Sequence, residues 1–472
     1  MRFWEVVIVG SSVPALIWTV VTGRNRTPWG HLLTAVAGAA VYAHLRFEGW
    51  RWQMIPLYAF VAIMVVVAIW DLIVPAHDAY GTRPSRLKSV GPTLSGLLAL
   101  AAATALPLAL PIPDLPAPSA PVGTVSLHLV DDSRIELYGP APGGPRRLAV
   151  QIWYPVADPG DARLALWVED VESFGPAAAA YLALPSFALD HLRYATSRSY
   201  EAAPVLAGRY PVVIYSHGWA GYRSVAFTEA EALAAAGYVV VAPDHTYGAL
   251  FTTFADGTPA RLDPGALPDE GEVSPEEYAA ASRQLVDTYA DDLRFVIDLL
   301  GDIDNGTLAT EGVDLSGKLD LERLGLWGHS TGGGAAFEVC ASDTRCDAVL
   351  GLDPWVEPVD DRLILQGLPV PSAAIRSEEW TTKPNDARLV ELWGNSAVAE
   401  PLRCLTGTVH RDFSVLPYVS PVADYLGLAG PLGALRTDEL VNEHLLAFFG
   451  EHLMGSGPAW DRIQPPEVTG CG

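Results

Sequence analysis

The sequence predicts a doubly wound, mostly parallel α/β domain preceded by four apolar segments of membrane-spanning length. Three observations carry this. Short β-branched runs alternate with helical patterns from about residue 124 onward, the signature of a parallel sheet with helices on both faces. Gly328-His329-Ser330-Thr331-Gly332 fits G-x-S-x-G, in which a serine sits on a tight turn between a buried strand and a helix. Charge is also divided unevenly: residues 1–120 carry a net +3 and the remainder −28, giving the overall −25.

The head comes first. Apolar runs cover about Val6–Thr22, Trp29–Leu45, Trp52–Val74 and Val90–Ile112. Crossing a bilayer takes about 20 apolar residues, so these read as four transmembrane helices. Trp4, Trp29, Trp50, Trp52 and Trp70 lie near the run ends, as an aromatic belt would. Arg24 and Arg26 in the first loop, with Arg83, Arg86 and Lys88 in the third, place those loops in the cytoplasm. An even number of spans then puts both termini outside. The expectation is a multi-pass integral membrane protein with an extracytoplasmic body. Three further spans after the first argue against a cleaved signal peptide. The domain reading is a membrane region over 1–113, a proline-rich linker over 114–123 and an α/β body over 124–472. The linker should be extended and stiff.

In the body, Val125–Tyr138 and Arg147–Tyr154 alternate apolar and polar residues, as paired antiparallel strands do. Strand-like runs follow at Pro211–Tyr215, Tyr238–Ala242, Leu324–Trp327, Ala348–Leu352, Pro371–Ile375 and Leu402–Thr406. Residues 158–205 and 249–273 read as excursions, candidate lids. Ser274-Pro275-Glu276-Glu277 is a capping box with proline at the first helical position. Leu285, Tyr289, Leu293, Val296 and Leu300 then recur at helical spacing.

The G-x-S-x-G turn makes Ser330 the candidate nucleophile. A serine hydroxyl needs a base to take its proton, and the base needs a third group to orient it. With the chain order serine, acid, histidine, only His410, His444 and His452 lie beyond Ser330. The last two fall in an amphipathic helix around Leu440–Leu453. His410 follows the strand-like run Leu402–Thr406 and is the expected base. For the acid, Asp353 ends the strand after the nucleophile helix, where open α/β sheets place their crevice. Glu378 and Glu379 are its rivals. Two backbone N–H donors must face the developing oxyanion. Thr331 supplies one, and Trp219, in Ser216-His217-Gly218-Trp219, is the candidate for the other. His217 and the Asp244-His245 pair read as structural groups rather than as catalyst or metal ligands.

Several of these stretches carry a family resemblance. They are Val150-Gln151-Ile152-Trp153-Tyr154-Pro155, Ser216-His217-Gly218, Gly328-His329-Ser330, Gly351-Leu352-Asp353-Pro354-Trp355 and Val409-His410-Arg411-Asp412-Phe413. Over about residues 124–455 the chain resembles the plasma-type platelet-activating factor acetylhydrolases and their bacterial relatives. The resemblance implies an α/β-hydrolase fold, Asp353 as the acid, no cofactor, and calcium-independent cleavage of esters with short or oxidised acyl groups. It leaves the head uncovered. Trp219 departs from the plasma-type pattern, which has an aliphatic residue there, and its ring is expected to reshape the acyl pocket.

The expected function is thus a membrane-anchored serine esterase or lipase acting on small esters or on phospholipids with short or oxidised sn-2 chains. The alternatives are a hydrolase of non-lipid esters or polyesters, and a non-catalytic membrane-tethered binding module. The acidic body repels polyanions, which argues against nucleic-acid partners. The cysteines are Cys340, Cys346, Cys404 and Cys471. Their number allows two disulfides in an oxidising compartment, with Cys340 and Cys346 close enough to close a local loop. None has metal-site spacing, and no metal is expected.

Overall fold

The computed structural model describes residues 1–22, 28–73, 86–456 and 460–469. Arg24, Arg26, Arg83 and Cys471, and the side chains of Arg86 and Lys88, lie outside what is described. The chain divides into two compact units, Met1–Pro113 with Val419–Val422, and Asp114–Tyr418 with Ala423–Gly472.

Among the described residues the first unit holds four α-helices: α1 (Phe3–Thr22), α2 (Pro28–Ala43), α3 (Ile55–Ile73) and α4 (Arg86–Ala109). Ile8, Ala37, Ala40, Leu57, Val61, Leu100 and Ala103 form its core. Small residues at these contacts let backbones approach closely, as in membrane bundles. Arg51 and Glu5 are both buried and meet in a two-pronged ion pair, with Nε–Oε1 at 2.8 Å and Nη2–Oε2 at 2.9 Å. The expectation of four spans is corrected here. Among the described residues one stretch, Trp52–Trp70, is long and apolar enough to cross a bilayer, while Phe3–Trp18 and Leu94–Ala109 are shorter. The reason is length: α2 has 16 residues, a rise of roughly 24 Å against a hydrocarbon core of about 30 Å. α4 spends its first turn on polar residues before its apolar stretch begins.

The second unit is the α/β body. β1 (Val122–Ile135) pairs antiparallel with β2 (Pro145–Pro155). Then come β3 (Leu164–Leu166), α5 (Val171–Tyr181), β4 (Thr196–Glu201), β5 (Tyr210–Ser216), α6 (Phe227–Ala235) and β6 (Val239–Pro243). A small hairpin of β7 (Phe251–Thr253) and β8 (Pro259–Arg261) precedes α7 (Pro275–Asp304). The chain continues through β9 (Leu319–His329), α8 (Thr331–Ser342), β10 (Ala348–Leu352), α9 (Asp361–Gln366), β11 (Ser372–Ser377) and α10 (Pro384–Asn395). It closes with β12 (Arg403–Leu405), α11 (Ala434–Met454) and β13 (Val468–Thr469).

The main sheet has the order β13-β12-β11-β10-β9-β5-β6-β2-β1-β4-β3. Its centre, from β6 through β5, β9, β10 and β11 to β12, is parallel throughout. This is the α/β fold with a mostly parallel sheet. The fully buried strands read as continuous apolar runs, as parallel strands covered on both faces do. Helix α7 opens on the expected capping box: Glu277 N–H donates to Ser274 Oγ (3.2 Å), and Ser274 N–H to Glu277 Oε2 (3.0 Å). Leu285, Tyr289, Leu293, Val296 and Leu300 all enter the core, each leucine contributing about 2 kcal/mol on burial.

The region 158–205 is more than an excursion. Strand β4 inside it pairs in parallel with β1 over Val122–Thr124 and extends the main sheet, and β3 then pairs with β4. Cys340 and Cys346 are joined in a disulfide that closes the loop after α8. Cys404 is also disulfide-bonded.

Candidate active site

Ser330 stands between β9 and α8 with φ 55° and ψ −121°, a conformation rarely adopted by residues with a side chain. Its surroundings explain the glycines. A Cβ at Gly328 would stand 2.4 Å from Gly332 O, and one at Gly332 would stand 2.1 Å from Ser216 O. At Gly334 it would meet Trp355 O at 2.2 Å. The turn closes only when three backbones come closer than a methyl group allows. Ser330 N–H donates to Leu352 O (3.0 Å), and Ser330 O accepts from Trp355 N–H (2.9 Å). The serine is thereby tied to the end of β10, the strand that delivers Asp353.

Asp353 is fully buried, also at positive φ, 42°. Its Oδ2 accepts from His410 Nδ1–H at 2.9 Å. Ser377, at the end of β11, gives its N–H to Oδ1 and its hydroxyl to Oδ2, both at 2.6 Å. The two glutamates weighed as rivals take backbone donors instead. Glu378 Oε2 accepts from Gly407 N–H (2.7 Å) and Glu379 Oε2 from His410 N–H (3.1 Å). Of the three carboxylates, Asp353 is the one that touches the imidazole.

His410 begins a one-turn helix after β12, with about a quarter of its side chain exposed. Trp380 stacks on its ring, centroids 4.1 Å apart and planes 10° from parallel. His329 is a second neighbour: its Nε2–H donates to His410 O (3.1 Å), and the two ring centroids lie 4.4 Å apart. Burial, with His410 close by, pushes the His329 pKa well down, so His329 stands as a neutral imidazole beside His410. Among the described residues no hydrogen bond joins Ser330 Oγ to His410. In unliganded sites that contact is often long and tightens with substrate.

The loop after β5 packs against the serine: a Cβ on Gly218 would stand 2.9 Å from Ser330 Cβ. Trp219 is the next residue, and Thr331 opens α8. Among the described residues neither of their backbone N–H groups donates to a protein acceptor. His217 is fully buried and bonded on both nitrogens. His444 Nδ1 donates to Leu440 O (2.7 Å) within α11, and His452 Nε2 lies 3.3 Å from Glu400. Neither reaches the serine turn through any of these contacts. Asp244 is occupied by Arg223, which gives it both a backbone N–H (2.6 Å) and Nη1 (2.5 Å).

Sequence reasoning missed Ser377, Trp380 and His329 as neighbours of Asp353 and His410. Ser377 was within reach of the strand-end rule that found Asp353, since β11 lies beside β10. Trp380 left no signal, because its stacking depends on a fold contact 30 positions along the chain.

Residues 143–464 match the family model described as platelet-activating factor acetylhydrolase, isoform II. The platelet-activating factor acetylhydrolase of Canis lupus familiaris is 24% identical over 321 residues, covering 64% of this chain and 71% of its own. That of Cavia porcellus is 25% identical over 322 residues, covering 64% and 72%. Among solved structures, the ferulic acid esterase of Streptomyces cinnamoneus is similar at 27% identity and a TM-score of 0.60, covering 75% of this chain and 97% of its own. This chain belongs to the platelet-activating factor acetylhydrolase isoform II family and is a carboxylic ester hydrolase.

Proposed function

We propose that Ser330, His410 and Asp353 are the nucleophile, base and orienting acid of a serine esterase that cleaves esters with short acyl chains. The observation that carries this is the Asp353–His410 bond of 2.9 Å beside a serine held on a strained turn. Asp353 fixes the proton on Nδ1, so His410 Nε2 is free to take the Ser330 proton as Oγ attacks the acyl carbon. The carbonyl oxygen becomes negative and is met by the Trp219 and Thr331 N–H groups. Collapse expels the alcohol, which takes its proton from His410. Water then attacks the acyl-enzyme by the same route, with His410 as base, and frees the acid. No metal or cofactor enters these steps.

The substrate proposed first is a phospholipid with a short or oxidised sn-2 chain, the class suggested by the curated relatives' name. A second reading is favoured by the ferulic acid esterase neighbour, matched over 97% of its length: a non-lipid ester with an aromatic acyl group, for which the Trp219 ring is suited. One series separates them. Purified enzyme should lose activity steeply from acetyl to palmitoyl esters, and calcium chelation should leave the rates unchanged. Trp219→Leu should shift acyl preference while kcat on a small acetate ester stays within about tenfold, since the donor there is backbone and a full oxyanion donor is worth about 10²–10³. Faster turnover of feruloyl than of acetyl esters would select the second reading. Preference for palmitoyl would exclude both.

The helix Trp52–Trp70 is proposed to hold the enzyme at a membrane with its body outside the cytoplasm. The Cys340–Cys346 disulfide supports an oxidising compartment. The body carries a net charge of −28, which disfavours docking on anionic lipid. Delivery to the surface therefore comes from tethering, which raises effective concentration. Protease added to intact cells should remove the body; protection until lysis would place it on the cytoplasmic side.

A further inference from the structure

A second group of serine, histidine and aspartate lies beneath the loop after β5. His245 Nε2 accepts from Ser216 Oγ–H at 2.9 Å, and His245 Nδ1–H donates to Asp292 Oδ2 at 3.0 Å. The atoms run in the same order as in a catalytic triad, but all three residues are at 0% exposure and cannot meet substrate. Asp292 in turn receives two prongs from Arg146, Nε to Oδ1 at 3.0 Å and Nη2 to Oδ2 at 2.6 Å. Arg146 also reaches Glu136 Oε2 (2.8 Å) and Thr246 O (2.9 Å). Burial alone would raise the Asp292 carboxyl, but Arg146 and His245 hold it well below its ordinary range, so it stays ionised. These groups tie together β2, β5, α7 and the segments that follow β1 and β6.

The chain of bonds does not stop at His245. Its backbone N–H donates to His217 Nε2 at 3.0 Å. A backbone N–H can only donate, so Nε2 is the acceptor and the His217 proton sits on Nδ1. Nδ1–H then donates to Gly218 O at 2.8 Å, which also accepts from Gly221 N–H at 2.9 Å. In a trans peptide the N–H points opposite to the C=O. Fixing Gly218 O therefore fixes the direction of the Trp219 N–H. Gly218 itself lies against Ser330: a Cβ there would stand 2.9 Å from Ser330 Cβ.

We propose that His217 is a positioning residue, anchored by His245, Asp292 and Arg146, that aims the Trp219 N–H at the developing oxyanion. This rests on the reading of Ser330 as nucleophile and Trp219 as donor. The buried triad-like group is thus a fixed footing for the oxyanion peptide rather than a second active site. Preorganised donors of this kind act without reorganising during the reaction, which is the source of their effect on kcat.

Two substitutions in the full chain separate positioning from simple packing. In His217→Asn the side-chain amide N–H lies near the position of Nδ1 and keeps a donor for Gly218 O. In His217→Gln the amide lies near Nε2 and keeps only the side facing His245. Each is assayed on a small acetate ester, with a fluorophosphonate probe and mass spectrometry to locate the labelled serine. His217→Gln should lower kcat by about 30- to 100-fold, less than outright loss of an oxyanion donor, with KM within about threefold because the contact matters in the transition state. His217→Asn should keep kcat within about fivefold of wild type. Labelling should remain at Ser330. Equal kcat values for the two variants, or the reverse order, with the label still at Ser330 overturn the positioning role alone. Wild-type labelling at another residue overturns the nucleophile assignment and this role with it. If circular dichroism shows that neither histidine variant folds, Ser216→Ala makes a smaller cut at the far side of His245. It should lower kcat about three- to tenfold at unchanged KM, and an unchanged kcat overturns the proposal.

Discussion

Ser330→Ala is expected to lower kcat by about 10⁴-fold or more, because nucleophile, base and acid act as a unit and losing one removes most of what all three supply. The fold should survive. Ser330 keeps its neighbours through backbone contacts, its N–H to Leu352 O and its C=O to Trp355 N–H, and an alanine retains both. The positive φ of 55° is already tolerated by a residue with a Cβ. The strained turn should therefore persist in the variant, and its melting temperature should stay close to wild type. A fluorophosphonate should label the wild type at Ser330 and leave the variant unlabelled. Residual activity near wild type, or label at another serine, would remove Ser330 from the mechanism.

Much of this site was legible because its requirements are local. The serine turn demands glycine wherever backbones touch, and Gly328, Gly332 and Gly334 each sit against another backbone atom within 2.5 Å of where a Cβ would be. Chain order and strand ends single out Asp353 and His410, which the structure brings into contact at 2.9 Å, because the parallel topology ties such ends to one edge of the sheet. The five periodic residues of α7 entered the core for the same reason: helical spacing is a property of the segment itself.

What sequence did not reveal depends on register and on length measured in three dimensions. Strand β4 is a short polar run, Thr-Ser-Arg-Ser-Tyr-Glu, with no apolar alternation to mark it. It joins the sheet because β1 offers an open edge over three residues. Ser377 and Trp380 reach Asp353 and His410 through the placement of β11, and the Arg146–Asp292–His245 chain links residues up to 146 positions apart. The four apolar runs of the head were found where helices form, yet composition did not separate a bilayer-length helix from shorter ones. Polar residues trim the apolar part of α4 from within. The buried Arg51–Glu5 pair shows that the head has its own polar interior, which hydropathy counted only as an interruption.

Asp353→Asn is expected to keep the fold and lose about 10⁴-fold in kcat, by holding His410 in the wrong tautomer. The neighbours of the carboxylate show how. Ser377 N–H donates to Oδ1, a bond an asparagine carbonyl oxygen accepts equally well. That leaves the amide nitrogen where Oδ2 stood, facing His410 Nδ1 and Ser377 Oγ. Ser377 Oγ can turn from donor to acceptor, so the local structure is satisfied. His410 Nδ1 must then accept rather than donate, which moves its proton to Nε2, the nitrogen that has to receive the Ser330 proton. The base is thus blocked while its position is unchanged. Glu378→Gln and Glu379→Gln should each cost no more than about tenfold, since both carboxylates bond backbone N–H groups and neither holds the ring. Measuring kcat for the three variants beside their melting temperatures decides the matter. An inactive glutamate variant beside an active Asp353→Asn would move the acid from β10 to the strand after it.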